Sequence, residues 1–145
     1  MAQASDAVEF FVGRSDLRRD EVAAAEVPEL RDGEVLLKVD KFAFTSNNVT
    51  YGAFGEAMQY WDFFPAPQGF GKIPVWGFAD VVRSRHEGIA EGERVFGYLP
   101  MASYLVVAPA HVKSAGFIDA SPHRAHLAAV YNQYTRVASD PGYVE

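Results

Sequence analysis

The fold is decided by residues 73–112, which read IPVWGFADVVRSRHEGIAEGERVFGYLPMASYLVVAPAHV. Three consecutive strands are predicted here, namely Val75–Ser84, Arg94–Tyr98 and Ser103–Ala108. A glycine-bracketed polar turn separates the first two strands, and Pro100 separates the second from the third. Short, closely spaced strands broken by Gly and Pro are typical of a β-sandwich or a small barrel rather than of βαβ units.

Further strands are predicted on both sides of this stretch. Glu34–Thr45 follows a strong Asp-Gly turn signal and alternates apolar with polar side chains, as a long strand does. Glu21–Val27 is rich in alanine, but its alternation and the proline after it favour a strand over a helix. Val8–Val12 and Val112–Ile118 are the outermost strands. The chain is therefore predicted to be mainly β.

A helix is predicted near the C-terminus, over Arg124–Ala138. This segment is rich in alanine, and the Ser-Pro pair before it is a helix-start signal. Its apolar residues recur at helical spacing on one face and are Leu127, Val130, Tyr131 and Tyr134. The predicted fold class is a mainly β barrel with a C-terminal helix.

The middle of the chain is unusually aromatic. Between Tyr51 and Phe70 lie seven aromatic residues, interrupted by prolines and glycines that prevent regular structure throughout. These side chains can form a satellite core under a long loop. Some of them can also line a pocket for a planar ligand, since aromatic walls with a few polar groups are typical of such sites. The two interpretations are compatible for different members of the set.

Composition excludes several classes of function. The 145 residues suit one domain, and the formal net charge of −6 without a basic cluster argues against nucleic-acid binding. The absence of cysteine excludes disulfides, thiolate nucleophiles and Cys-ligated zinc. No apolar run reaches membrane-spanning length, and the first residues lack a signal-peptide pattern. No membrane partner is expected, and a cytoplasmic location is the default expectation.

His123 and His126 are the one histidine pair at helical spacing. They could share a metal, but no third ligand lies within sequence reach, so a surface or capping role is favoured. A catalytic zinc needs three protein ligands. The sequence therefore predicts no metal site.

The order of several short motifs resembles the N-terminal domain of the medium-chain dehydrogenase/reductase superfamily. These motifs are GEVLLKV at 33–39, Asn48, Ile73-Pro74, FADVV at 78–82, GERV at 92–95 and ASYLVVAP at 102–109. The resemblance covers nearly all of residues 8–138 and is nearest to an uncharacterised bacterial group related to zinc-independent quinone reductases. It implies a GroES-like, partly open β-barrel. Residues 1–145 would then be a single substrate-side domain without its Rossmann domain.

Departures from that superfamily concern zinc and the cofactor. Where zinc enzymes of the superfamily have Gly-His-Glu, this chain has Val75-Trp76-Gly77, and Asn48 stands near the position of their Cys ligand. We expect Trp76 to fill the vacated space. No G-x-G-x-x-G turn is present to hold a dinucleotide. NADPH is implied for a full-length relative, and none is expected to bind this chain.

The resemblance also implies site residues. Asn48 would hydrogen-bond the ligand or the nicotinamide ribose, and Tyr51 would donate to a developing enolate oxygen as the catalytic group. Tyr131 and Asn132 would lie near the nicotinamide. The structural alternative is a helix cap for Asn48, a core aromatic for Tyr51 and a helix-surface amide for Asn132. The implied substrate is a small quinone or an unsaturated carbonyl compound.

Two functions remain open on these grounds. The first is the substrate-side domain of a zinc-independent NAD(P)H-dependent oxidoreductase, inactive as this chain alone. The second is a stand-alone GroES-like module for ligand binding or oligomerisation, with residues 51–70 as its contact surface. We expect homo-oligomers through an apolar face that includes Tyr131, Tyr134 and part of residues 51–70. The reading frame beyond Glu145 distinguishes the two functions.

Overall fold

The computed structural model describes residues 6–145. The strands are β1 Val8–Gly13, β2 Asp20–Ala24, β3 Val35–Ala43, β4 Phe70–Gly71, β5 Pro74–Ser84, β6 Arg94–Pro100, β7 Tyr104–Val107, β8 Pro109–Ala110, β9 Gly116–Asp119 and β10 Gln133–Arg136. The helix α1 is Ser46–Ala53, and the 3₁₀ turns are Tyr60–Asp62, Pro122–Arg124, Ala129–Asn132 and Val137–Ser139. The prediction of a mainly β fold is confirmed.

Two antiparallel sheets make up the fold. The larger has seven strands in the order β7-β3-β5-β6-β10-β9-β8 and is nearly closed, like a barrel. The smaller has three strands in the order β2-β1-β4. Among residues 6–145 every named strand pair is antiparallel. The predicted barrel, as opposed to a doubly wound parallel sheet, is therefore confirmed.

Of the strands within residues 73–112, β5 and β6 lie at the centre of the large sheet, and β7 and β8 lie at its two ends. β5 pairs with β3 on one side and with β6 on the other, so it is an interior strand of the sheet. Val75, Ala79 and Val81 are all buried in the main core. The predicted third strand is present as β7, and the predicted Glu34–Thr45 contains β3. Pro100 is the last residue of β6 and pairs with Pro74.

Gly77 lets β3 pass very close to β5. A Cβ atom at this position would collide with the backbone carbonyl of Lys41 and with the side chain of Phe42. The register of the two strands also shifts between Val39 and Lys41, which is a β-bulge. The close approach brings the end of β3, and hence the start of α1, beside Trp76.

The outer strands differ from prediction at their ends. β1 extends the predicted Val8–Val12 by one residue, and β2 ends three residues before the predicted limit at Val27. The predicted strand Val112–Ile118 is wrong in its first half, because β9 begins at Gly116. Residues 113–116 instead form a turn closed by paired backbone hydrogen bonds between Lys113 and Gly116.

The predicted C-terminal helix over Arg124–Ala138 is wrong. The segment contains 3₁₀ turns on either side of β10, and β10 pairs with both β9 and β6. Tyr134 was expected on an exposed apolar face, yet it is only 1% exposed and belongs to the main core. The pairing of β10 and the burial of Tyr134 outweigh the helix propensity of the alanines.

The helix α1 begins at Ser46, and Asn48 has the helix-capping role that was its structural alternative. Thr45 is the N-cap residue, and it forms a reciprocal capping box with Asn48. Within residues 6–145, no helix is both long and apolar enough to cross a membrane.

Candidate functional site

Four tyrosines from separate parts of the chain meet at one end of the large sheet. Tyr51 lies on α1, Tyr60 begins the first 3₁₀ turn, Tyr98 lies on β6, and Tyr131 lies on the turn Ala129–Asn132. The ring centroids are 4.7 Å apart for Tyr51 and Tyr60 and also for Tyr98 and Tyr131. Tyr51 and Tyr98 are 5.7 Å apart. We call these four residues the tyrosine cluster.

Trp76 and Phe63 pack against the tyrosine cluster. The Trp76 ring lies 5.0 Å from that of Tyr98, and its Nε1 donates a hydrogen bond to the Tyr51 hydroxyl at 3.4 Å. The Phe63 ring lies 5.1 Å from that of Tyr98. These side chains form a core cluster separate from the main core. The interpretation of the aromatic stretch as a satellite core is therefore correct for Phe63 and Tyr60.

The hydroxyl of Tyr98 is the deepest polar atom of the cluster. Tyr98 is fully buried, and among residues 6–145 its hydroxyl oxygen has no hydrogen-bond partner. Burial first, and then the neighbouring Tyr51, Tyr131 and Tyr60, hold the pKa of Tyr98 far above its usual range. Such a group stays protonated and remains an unused donor.

Tyr131 is also kept protonated by its surroundings. Its hydrogen bond with Tyr60, followed by burial and the neighbouring Tyr60 and Tyr51, raises the pKa of Tyr131 to about 12. A phenol with this pKa is neutral near pH 7 and can donate a hydrogen bond without losing its proton. Tyr98 and Tyr131 are thus two neutral donors surrounded by aromatic faces.

Asn48 fixes the helix that carries Tyr51. Its Oδ1 accepts from the backbone amide of Thr45 at 2.7 Å, and its Nδ2 donates to the carbonyl of Pro74 at 2.9 Å. The first bond caps α1, and the second ties α1 to the start of β5. Asn48 is 4% exposed, so its amide is committed within the chain.

Arg124 fixes the turn that carries Tyr131. Its guanidinium is fully buried and donates from Nη2 to the carbonyl of Tyr131 at 2.6 Å. Its Nε donates to Oδ1 of Asn132 at 2.8 Å, and Nδ2 of Asn132 donates back to the Arg124 carbonyl at 3.0 Å. Asn132 is therefore a buried partner of Arg124, and the structural alternative of an amide on a helix surface is wrong.

The charge of Arg124 is balanced by Asp119. Its Nη1 lies 2.9 Å from Oδ2 of Asp119 and donates to the Tyr134 hydroxyl at 2.8 Å. The other oxygen of Asp119 accepts from the amides of Ala108 and Ser121 and from the Ser121 hydroxyl. The Tyr134 hydroxyl donates to the carbonyl of Tyr98 at 2.6 Å. A buried ion pair satisfied in this way links the turn to β6.

The structure brings two of the four predicted site residues together. Tyr51 and Tyr131 lie 6.3 Å apart by ring centroid and are both partly exposed. Asn48 and Asn132 are buried and hydrogen-bonded within the chain. Sequence reasoning missed Tyr98, which reads as an ordinary residue of a buried strand. Its position beside Gly97 in β6 carried no signal of an unpaired hydroxyl.

The hydrogen bonds of His123 and His126 do not involve the tyrosine cluster. Nε2 of His123 is 3.1 Å from the carbonyl oxygen of Phe63, and Nε2 of His126 is 3.3 Å from Oδ2 of Asp62. Across residues 6–145, no group of three His, Asp or Glu side chains is arranged to hold a metal ion. Both histidines are exposed, which agrees with the surface role in the prediction of a surface or capping role for the pair.

Comparison with known proteins yields one family and distant fold relatives among solved structures. Residues 42–145 match the family described as "Protein of unknown function (DUF2855)". No curated protein matches the chain. CurA from Vibrio vulnificus is similar in structure, with a TM-score of 0.55 and 15% sequence identity over 72% of this chain. The match spans 31% of the CurA chain, and at this identity the similarity shows the fold alone.

Proposed function

The chain belongs to the DUF2855 family, and we propose that it is the substrate-side domain of a zinc-independent NAD(P)H-dependent oxidoreductase of the quinone or enone reductase type. The observation that carries this proposal is the pairing of Tyr51 with Trp76 inside the tyrosine cluster. The barrel-like sheet and the motif order that resembles the GroES-like domain of medium-chain reductases support it.

Tyr51 is the proposed catalytic donor. When an unsaturated carbonyl compound or quinone is reduced, negative charge develops on its oxygen, and a preorganised donor stabilises that charge. The Trp76 indole donates to the oxygen of the Tyr51 hydroxyl. A hydroxyl that accepts one hydrogen bond can still donate its own proton to a substrate oxygen. Tyr131, held protonated by its neighbours, is a second neutral donor at the same place.

NADPH supplies the hydride in this proposal. Its pyrophosphate needs free backbone amides, usually at a glycine-rich turn that leads into a helix. The N-terminus of α1 is already capped by Thr45 and Asn48, and the chain has a formal net charge of −6. The capped N-terminus of α1 therefore does not fit the pyrophosphate. Of the predicted cofactor contacts, only Tyr131 has an appreciably exposed side chain.

The test is the NADPH-dependent reduction of a quinone by the product of the complete reading frame that encodes residues 1–145. Duroquinone is a suitable probe, because its ring is fully methylated and does not alkylate lysine. We expect NADPH to be consumed with duroquinone and not without it. Failure to reduce either duroquinone or the enone mesityl oxide would contradict the proposal and favour a stand-alone binding module.

A further inference from the structure

The last part of β3 has a strand neighbour on one side only. β7 pairs with β3 as far as Lys38, and one further bond of 2.9 Å joins the Val39 amide to the Ser103 carbonyl. β3 then bulges at Asp40, and residues 41–43 pair with β5 alone. Asp40 and the three residues after it are all exposed. Residues 40–43 are therefore a strand edge without a neighbour on the side of β7.

The chain just before β7 turns away from this edge and joins β1 instead. Two backbone hydrogen bonds of 2.9 Å tie Met101 and Ser103 to β1, and Ala102 lies between them, opposite Glu9. In an antiparallel pair of this kind, the amide and carbonyl of the middle residue point away from the partner strand. Within residues 6–145, neither of these two groups of Ala102 has a hydrogen-bond partner. Unpaired backbone groups therefore remain where β3 and residues 101–103 diverge.

An apolar groove of about 410 Å³ lies between the end of β3 and the smaller sheet. Three of its side chains are large and exposed, since Val22 is 66%, Val8 45% and Phe42 42% exposed. Asp40 and Ala102 also line it, so the unpaired edge borders the groove. Its apolar lining consists of Val8, Phe10, Val22, Val39, Phe42 and Met101. Exposed apolar side chains beside an unpaired strand edge are the features of a strand-addition site.

Both charged side chains in the groove lining are carboxylates, those of Glu9 and Asp40. Lys72 Nζ lies 3.4 Å from Glu9, and Arg94 Nη2 lies 2.6 Å from Asp40, but neither cation lines the groove. The hydrogen bond from Arg94 lowers the pKa of Asp40 below its usual range, so this carboxylate is charged at neutral pH. Arg94 also pairs with Asp80, so one cation serves two carboxylates. The charge at the groove therefore favours a basic partner.

We propose that residues 40–43 bind an extended peptide segment of a partner protein by strand addition, with an apolar side chain in the groove and a basic side chain beside Asp40. β7 is antiparallel to β3, and an added strand that continues along the same edge keeps that direction. Side chains opposite Phe42 and Asp40 then lie two residues apart on one face of the added strand. The recognised sequence is therefore apolar, any residue, basic. This site is independent of the proposed reductase function.

Binding of a synthetic peptide to the 145-residue chain tests this proposal. The probe acetyl-Thr-Leu-Thr-Lys-Leu-amide is titrated into ¹⁵N-labelled protein, and the backbone amide resonances of Phe42 and Ala102 report on the groove. We expect both resonances to shift saturably. The same peptide with Glu in place of Lys should bind at least about fivefold more weakly, because an attraction to Asp40 becomes a repulsion.

Asp40→Asn should weaken binding of the Lys-containing probe about threefold, through the loss of one exposed charge pair. Arg94 keeps its pair with Asp80 in this variant. The matched control is Asp32→Asn, which also removes an exposed aspartate paired with an arginine but lies outside the groove. It should bind the probe like the wild type.

Methylation of the probe's backbone distinguishes strand addition from simple apolar binding. Only every second amide of an added strand faces the neighbouring strand. N-methylation of the first and third residues, or of the second and fourth, should therefore abolish binding in one case and change it less than about threefold in the other. The two methylated peptides have the same side chains and the same charge, so an apolar contact alone would not separate them.

The proposal is overturned if the Phe42 and Ala102 resonances do not respond to the probe, if both methylated peptides bind equally, or if the Glu-containing peptide binds as tightly as the probe. The product of the complete reading frame identifies the source of the natural segment. Equal binding of the probe to this product and to the 145-residue chain supports a partner protein. Binding to the 145-residue chain alone would show that the same polypeptide covers the groove, and would overturn the assignment to a partner.

Discussion

The Arg124 guanidinium donates a hydrogen bond from Nη2 to the backbone carbonyl of Tyr131 at 2.6 Å. In a continuous α-helix that carbonyl would accept from the amide of Thr135. Thr135 instead lies opposite Phe96 in the sheet. One buried side chain thus replaces a helical hydrogen bond, ends the turn and places the Tyr131 ring in the tyrosine cluster.

Removal of this guanidinium should strongly destabilise the fold. In Arg124→Met, the Asp119 carboxylate stays buried without its ion-pair partner, and the loss expected is about 3–5 kcal/mol of unfolding free energy. Urea unfolding measures it. The control is Arg85→Met, which breaks an exposed pair with Asp32 and should cost less than about 0.5 kcal/mol. Equal stability of the two variants would show that the buried network does not hold the turn.

Asn48→Ala should lower the unfolding free energy by about 1–2 kcal/mol, because it removes the helix cap and the bond to the Pro74 carbonyl. Asn47→Ala is the matched control, since Asn47 is the exposed neighbour on the same helix and its side chain makes no capping bond. It should change the unfolding free energy by less than about 0.5 kcal/mol. Urea curves that coincide for Asn48→Ala and the wild type would exclude the structural role.

The buried tyrosines predict a loss of stability at alkaline pH. Burial raises the pKa of Tyr134 to about 12, whereas tyrosine in an unfolded chain ionises near 10. Between these values the unfolded chain has released a proton that the folded chain keeps, so the unfolding free energy falls as pH rises. Below about pH 10 this contribution is fully present and constant.

Urea unfolding above and below pH 10 checks this dependence, with Tyr134→Phe as the comparison. Each buried tyrosine that resists ionisation should contribute a slope of up to about 1.4 kcal/mol per pH unit above its unfolded pKa. Tyr134→Phe should therefore show a shallower alkaline slope than the wild type, whatever its stability near neutral pH. Identical slopes would mean that Tyr134 ionises in the fold as it does when unfolded.

The strands were predictable because their signal is local. β3, β5 and β7 follow from alternating or continuous apolar runs bounded by Gly and Pro, which the structure places in one sheet. The conformation of residues 124–138 was not predictable, because it depends on partners that are far away in sequence. Those partners are residues of β6, where Phe96 pairs with Thr135 and Val95 with Arg136.

The candidate site was predictable only in part for the same reason. Tyr51 and Tyr131 could be named from a resemblance, and the structure brings their rings together. The unpaired hydroxyl of Tyr98 and the burial of Arg124 depend on which atoms surround them after folding. No pattern of residue types along the chain distinguishes a buried Arg124 from one on the surface of a helix.

Self-association should use the exposed part of the 51–70 segment and not Tyr134. Phe54 is 54% exposed and Met58 is 60% exposed, whereas Tyr134 is buried. We expect sedimentation velocity at high micromolar concentration to show oligomers that Phe54→Asp converts to monomer. Val22→Asp, on the smaller sheet, should leave them intact. A wild type that sediments as a monomer would contradict this expectation.

The role of Tyr51 is tested most directly by the steady-state kinetics of Tyr51→Phe, in the product of the complete reading frame, with NADPH and duroquinone. Because the Tyr51 hydroxyl is proposed to stabilise charge that develops only during hydride transfer, its loss should lower kcat about a hundredfold. KM should change much less. Tyr104→Phe serves as the control. A kcat for Tyr51→Phe within about twofold of the wild type would contradict the assignment of Tyr51 as the catalytic donor.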